Sequence, residues 1–394
     1  MIPHDIGKIL VVRLSARGDV AFASPLAGAL RRRYPRANIS WVAEDGAADV
    51  IRHNPHLDEV IVLERGAWRR MLRGGRWGAL AGAVTDFFGA LRERRFDVAI
   101  DAQGLLRSGL VTFLSGASVR IGLGSREGSG RLMTAVVERG GDPRAISSEY
   151  RYLAGVLGLG ADPFPMEIPR SRAEVAAVER VIAREGLEAG FVVACPFTTR
   201  FYKHWLDERW SGLIHSIRER TGLGVVLLGG PGDRAAADRI MRGAEKRDSA
   251  PDAPPGRRGL PGPEAAAVPL VDLVGRTTLG EASAVVSRCS ALVGVDTGLS
   301  HMAHAYGRPA VLIFGSNTPY LDPPGATATI LHSGRTCSPC RGKLTCDGRI
   351  DCMADISVEQ ALAAVAGCLE AGRAAAAPTV AAPTTAPACR EAAG

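Results

Sequence analysis

The chain has 394 residues, of which 46% are hydrophobic and 23% charged, and its mean hydropathy is +0.06. Such a composition fits a globular protein of two domains rather than a disordered or membrane-spanning one. No apolar stretch reaches the roughly 20 residues of a spanning helix, and residues 1–8 show no basic region followed by a long apolar core. A cytoplasmic location is therefore expected. The net charge of +7 is concentrated in residues 1–150, where 22 Lys and Arg face 16 Asp and Glu. An anionic small molecule or an anionic membrane surface accounts for that asymmetry. Nucleic acid is not expected, because no Arg-rich helix is interleaved with aromatic residues.

Lys8 to Leu14 (KILVVRL) reads as a continuous apolar strand of a parallel sheet covered on both faces. The turn Ser15-Ala16-Arg17-Gly18-Asp19 and an amphipathic helix from Val20 to Tyr34 follow it. Open α/β sheets place their ligands in such small-residue loops at strand C-terminal ends. Asp19 reads either as a helix cap or as a cleft carboxylate kept ionised by Arg13 and Arg17. Asn38 to Val42 and Glu59 to Leu63 are further strands, and Arg65 to Arg76 is a basic, Gly-containing stretch around Trp68. A helix from Ala79 to Arg95 leads to a strand, Phe96 to Ile100, and then to Asp101-Ala102-Gln103-Gly104 with Arg107 beyond. Another strand, Val119 to Gly122, precedes Gly124 to Gly130, a mobile loop by composition that contains Arg126.

After a helix from Tyr150 to Leu159, the Pro-rich segment Gly160 to Pro169 reads as an interdomain linker. A second α/β series follows, with a helix over Arg172 to Glu185 and strands at Phe191 to Ala194, Gly224 to Leu228 and Val271 to Val274. Lys246 to Pro269 is rich in Pro, Gly and Ala and is expected to be a disordered insertion. Beyond a helix from Leu279 to Arg288, Ala291 to Phe314 forms a strand, loop, helix, strand unit broken by Asp296-Thr297-Gly298. Free backbone N–H groups at the start of its helix favour phosphate or sugar oxygens, and the alternative is that Asp296 or Thr297 caps the helix and His301 is an ordinary core histidine. Cys337, Cys340, Cys346 and Cys352 follow a C-x2-C-x5-C-x5-C pattern, open to zinc, to an iron–sulfur cluster, or to reduced or paired surface thiols. Asp355 to Ala371 is a final helix, and the Ala/Pro/Thr tail over residues 373–394 is expected to be disordered. No G-x-G-x-x-G follows any strand, which argues against an NAD oxidoreductase.

Several segments resemble the bacterial lipopolysaccharide heptosyltransferases, inverting glycosyltransferases of the GT-B fold. They are RLSARGDVAFASPLAGALRRRYP from Arg13, WVAE from Trp41, RRFDVAIDAQGLLRSG from Arg94, SREG from Ser125, TTRFYKHW from Thr198 and VGVDTGLSHMAHAYGRPAVLIFG from Val293. The resemblance implies an α/β protein of two doubly wound Rossmann-like domains facing a central cleft: an acceptor domain over residues 1–165 and a donor domain over 166–372. It also implies ADP-L-glycero-D-manno-heptose as donor, the Kdo sugar of a lipid A precursor as acceptor, and no required metal or cofactor; the transfer of a second heptose, or of a sugar from another nucleotide, is the alternative. Carried over to this chain, Asp19 is the general base, and Thr198, Thr199 and Lys203 meet the donor diphosphate, Lys203 also neutralising the departing ADP. Asp296, Thr297, Gly298 and His301 hold the donor. Arg69, Arg70, Gln103, Arg107 and Arg126 fall on the acceptor side, with Arg65 an alternative to either neighbour of the first pair. A lipid-anchored acceptor further implies a peripheral association of the basic first domain with the anionic cytoplasmic face of the inner membrane, without insertion.

Overall fold

A computed structural model describes residues 6–160, 162–248, 268–317, 328–340, 342–343 and 345–376. Each half of the chain builds one parallel six-stranded sheet. The first comprises β1 (Lys8–Val12), β2 (Asn38–Glu44), β3 (Glu59–Leu63), β4 (Val98–Asp101), β5 (Val119–Leu123) and β6 (Ala135–Val137), in the order β3-β2-β1-β4-β5-β6. The second comprises β7 (Phe191–Cys195), β8 (Gly224–Leu227), β9 (Leu270–Asp272), β10 (Ala291–Val295), β11 (Ala310–Phe314) and β12 (Ala328–His332), in the order β12-β11-β10-β7-β8-β9. The two orders are the same when each is counted from its own first strand. Helices cover both faces, so the central strands are apolar throughout: Ile9 to Val12 and Ala291 to Val293 have no exposed surface.

In each sheet the chain winds outward in both directions from the first strand, and ligand crevices of doubly wound sheets open where that direction reverses. These switch points lie beyond β1 and β4 in one sheet and beyond β7 and β10 in the other. The GT-B architecture expected from the sequence is thus present. One apolar cluster runs from Ile9 and Trp41 through Phe164, Met166 and Ile168 to Val193 and Leu292, joining the lobes through the Pro-rich segment.

Several boundaries differ from the sequence expectation. The helix expected from Val20 to Tyr34 is two helices, Arg17–Ala23 and Pro25–Arg33, because Pro25 cannot donate the hydrogen bond that would continue the first. The basic stretch after β3 is a helix, Arg65–Arg73, paired with a second, Trp77–Glu93. The loop expected to be mobile at 124–130 is pinned: Arg126 N–H donates to the Gly104 carbonyl at 2.7 Å and Ser129 is fully buried. Helix Arg234–Asp248 runs past the expected start of the insertion, whose residues 249–267 lie outside the described residues. The last helix, Val358–Ala376, continues beyond residue 372, and 377–394 also lie outside them.

Trp205 and Trp210 are fully buried and pack edge to face with centroids 5.1 Å apart. Trp205 Nε1 donates to the Ile356 carbonyl at 3.0 Å, tying the segment after β7 to the approach of the C-terminal helix. Trp205→Phe keeps most of the packing and removes that donor. A loss of about 1 kcal/mol is expected, visible as a lowered midpoint in thermal unfolding followed by circular dichroism.

Candidate active site

The first switch point presents a carboxylate with one committed oxygen. Arg13 follows β1 and is buried, with its guanidinium 5.9 Å from the Tyr150 ring centroid and 2.7 Å from Asp19 Oδ2. The same Oδ2 accepts from Ala16 N–H at 3.2 Å, so Asp19 reaches back from the third position of helix Arg17–Ala23 and is not its N-cap. Arg17 turns away to the Gly46 carbonyl at 2.6 Å and, contrary to expectation, is not the second cation on Asp19. No bond to a described residue uses Asp19 Oδ1, and the side chain is 48% exposed. It borders two cavities. One, of about 730 Å³, is lined by Thr198, Thr199, Lys203, Asp296, Thr297, Gly298 and His301; the other, of about 750 Å³, by Gln103, Arg107 and Arg139.

The second switch point is organised by Asp296. Its Oδ2 accepts from Lys203 Nζ at 2.7 Å and Asn317 Nδ2 at 2.6 Å, and its Oδ1 from His301 Nε2 at 3.0 Å. Burial pushes the Asp296 carboxyl up, but His301 and Lys203 more than offset this and hold it well below the ordinary carboxylate range. Asp296 therefore caps nothing. Thr297 occupies the N-cap of helix Gly298–Ala305, but its side chain makes no capping bond. The Lys203 loop is braced on either side: His204 Nε2 bonds the Thr198 carbonyl at 2.9 Å, and Trp205 is anchored in the core. The sequence reading missed Asn317; its signal is its place two residues past Gly315, at the end of the apolar run of β11.

The residues expected on the acceptor side divide into two groups. Gln103 is buried and lines the second cavity, and its Oε1 accepts from Leu14 N–H at 2.9 Å, holding the end of β1 against β4. Arg107 and Arg65 converge on Glu44, each 3.2 Å from Oε1, and Arg107 also donates to Ser15 Oγ at 3.1 Å. Burial, aided by Arg65 and Arg69, lowers the Arg107 guanidinium despite the opposing pull of Glu44. Arg107 Nε is buried without a hydrogen-bond partner. The group is thus a crowd of cations around one carboxylate. Arg65 is the member of its stretch turned into this group, whereas Arg69, Arg70 and Arg126 are exposed and line neither cavity.

The family model for glycosyltransferase family 9 (heptosyltransferase) matches residues 84–350. The chain belongs to this family. It is 28% identical to lipopolysaccharide heptosyltransferase 1 of Pseudomonas aeruginosa over 86% of this chain and 87% of that one. It is 26% identical to lipopolysaccharide heptosyltransferase 2 of Escherichia coli over 80% of this chain and 85% of the relative. Among solved structures, a family 9 glycosyltransferase from Veillonella parvula superposes with a TM-score of 0.77 at 19% identity, covering 94% of this chain and 99% of its own. The chain is accordingly a glycosyltransferase with the GT-B fold.

In this glycosyltransferase Cys337, Cys340, Cys346 and Cys352 are all free thiols lining one small enclosed space with Tyr202 and Ser316. Among the described residues, no three His, Cys, Asp or Glu side chains are placed to hold a metal ion. No helix among the described residues is long and apolar enough to cross a membrane.

His304, one turn beyond His301 on the same helix, gives the second lobe a pH signature. Burial, with His301 nearby, lowers its pKa to about 3. The unfolded chain takes up a proton near pH 6.5 that the folded chain refuses, so this contribution to stability is complete above about pH 6.5 and is lost as pH falls toward 3. Thermal midpoints measured from pH 7.5 down to 5 should fall more steeply for the natural protein than for His304→Gln.

Proposed function

We propose that this chain moves L-glycero-D-manno-heptose from ADP-heptose to the Kdo region of a lipid A precursor, with inversion at the anomeric carbon. The observation that carries the reading is Asp19 Oδ1, unbonded at the junction of one cavity lined by Lys203 and a helix N-terminus and another lined by Arg107. In this reading residues 1–165 bind the acceptor and 166–372 the donor. An acceptor hydroxyl in the second cavity gives its proton to Asp19 Oδ1 as its oxygen bonds the anomeric carbon of heptose. The bond from that carbon to the ADP oxygen breaks on the opposite face, which inverts the centre.

Charge develops on the departing diphosphate, and a fixed cation in a partly buried site stabilises it more effectively than water does. Lys203 is that cation, with Thr198, Thr199 and the first amides of helix Gly298–Ala305 beside it. Asp296 does not touch the phosphates in this scheme, since two anions would repel. It positions Lys203, and His301 and Asn317 position Asp296. Arg65 and Arg107 share the single carboxylate of Glu44, which leaves positive charge for the carboxylate of Kdo or a lipid A phosphate. No metal cofactor is required by this scheme. The lipid anchor of such an acceptor puts the enzyme at the cytoplasmic face of the inner membrane.

Purified protein supplied with ADP-heptose and a Kdo-bearing acceptor should release ADP, at an unchanged rate in excess EDTA. Release only with an already heptosylated acceptor would move the assignment to the second heptose transfer, for which the 26% identity to heptosyltransferase 2 speaks; release with neither acceptor would sink it. Asp19→Asn retains an acceptor for Ala16 N–H and for Arg13, so the fold and ADP binding should persist, with a loss of about 1 kcal/mol for the weakened ion pair. Turnover should fall by at least about a hundredfold. Near-normal turnover of this variant would place the base elsewhere.

A further inference from the structure

The helical hairpin after β3 is anchored on one side only. Trp68, Phe87 and Phe88 pack on the sheet, Trp68 and Phe87 edge to face at 5.7 Å, yet the two helices contribute a single buried residue, Leu91. At the other end every residue from Leu72 to Ala79 is exposed, including Leu72 at 45% and Trp77 at 65%. Gly74 and Gly75 form the turn between them, and Gly75 adopts a φ of +67°. Residues 65–85 contain Arg65, Arg69, Arg70, Arg73 and Arg76 and no Asp or Glu. No ion pair among the described residues engages the last four.

An exposed Trp and Leu on a purely cationic, Gly-hinged tip have the chemistry of a lipid headgroup layer, where an indole ring is at home and arginines meet phosphates. We propose that this tip docks the enzyme on an anionic phospholipid surface, with Trp77 and Leu72 entering the headgroup region and Arg73 and Arg76 pairing with lipid phosphates. A protein partner fits less well, because stable protein interfaces engage roughly 20–30 residues a side and the fully exposed tip spans only Leu72 to Ala79. The electrostatic approach without insertion expected from the sequence leaves Trp77 unexplained. The hairpin also links the surface to the site: Arg65, at its base, shares Glu44 with Arg107, and Arg73 lies about 12 Å further along the helix. A sugar headgroup projecting from the bilayer by that distance reaches the arginine group.

The proposal rests on the reading of the protein as a peripheral enzyme with a lipid-anchored acceptor, and it is tested without acceptor so that the two fail separately. Of the five tryptophans, Trp41, Trp205 and Trp210 are fully buried and Trp68 is packed against Phe87, so a change in emission on adding lipid reports Trp77. Vesicles of phosphatidylglycerol and phosphatidylethanolamine should shift the emission to shorter wavelength, brominated acyl chains should quench it, and part of the binding should survive high salt. Trp77→Ala should abolish the shift and weaken vesicle binding about tenfold. The same variant should retain ADP release with a water-soluble, lipid-free Kdo acceptor, since Trp77 lies outside both cavities. Absence of vesicle binding, binding lost entirely at high salt with no shift, or equal binding by Trp77→Ala would each overturn the proposal. So would a concentration-dependent dimer, seen by light scattering without lipid, that this substitution abolishes.

Discussion

The two lobes meet where their backbones come closest, and the site depends on that approach. Helix Arg17–Ala23 of one lobe packs against helix Gly298–Ala305 of the other. A Cβ on Gly298 would lie 3.1 Å from Arg17 Cβ and 3.4 Å from Gly18 N, and one on Gly18 would lie 3.1 Å from the His301 ring. Both positions lack a side chain, so the two helix starts touch and Phe22 reaches the His301 ring at 4.9 Å. A methyl group at either position would require its neighbour across the contact, the His301 ring or Arg17, to give by a few tenths of an ångström. Displacements of that order matter when two reacting groups are held by separate bodies.

Charge is arranged to suit this contact. The second lobe neutralises itself internally, with the Lys203 ammonium on the Asp296 carboxylate and His301 hydrogen-bonded to its other oxygen. The first lobe leaves a surplus, with Arg65 and Arg107 on one carboxylate and Arg69 near. A buried donor left without a hydrogen-bond partner is costly, and the Nε of Arg107 is such a donor. In the proposed reaction a bound anion removes that cost, so part of the positive excess of the first 150 residues works as a binding term and not only as surface solubility.

The fold was legible because its signals are local. Continuous apolar runs such as KILVV and ALVGV mark strands buried on both faces, and the small-residue breaks after them mark the crevices. The loops after β1, β4, β7 and β10 are the switch-point loops of the sheet order, so residues read from them, Asp19, Gln103, Lys203 and Asp296, come together across one cleft. Arg69, Arg70 and Arg126 follow β3 and β5, which lie away from the reversal, and they stay at the surface. Strand order is a long-range property that no short motif encodes. For the same reason Glu44 was visible inside the WVAE segment without a role: its function depends on Arg65 and Arg107, brought to it by neighbouring strands.

Asp19 and Asp296 show how environment separates two identical side chains. Asp296 is mostly buried, and both its oxygens already accept from Lys203, Asn317 or His301, so a proton on either oxygen would have to displace at least one of those donors. It serves as a fixed negative charge around which a cation is oriented. Asp19 is half exposed, and both its contacts fall on one oxygen, so the other can receive a proton without dismantling the Arg13 pair. A base needs this asymmetry: one oxygen to hold the carboxylate in place and one to react. In the proposed reaction, exchanging the two surroundings would leave the composition of the cleft unchanged and remove the carboxylate oxygen that takes the proton from the incoming hydroxyl. The pairing pattern of each carboxylate, more than its residue type, is therefore what divides the work between the lobes.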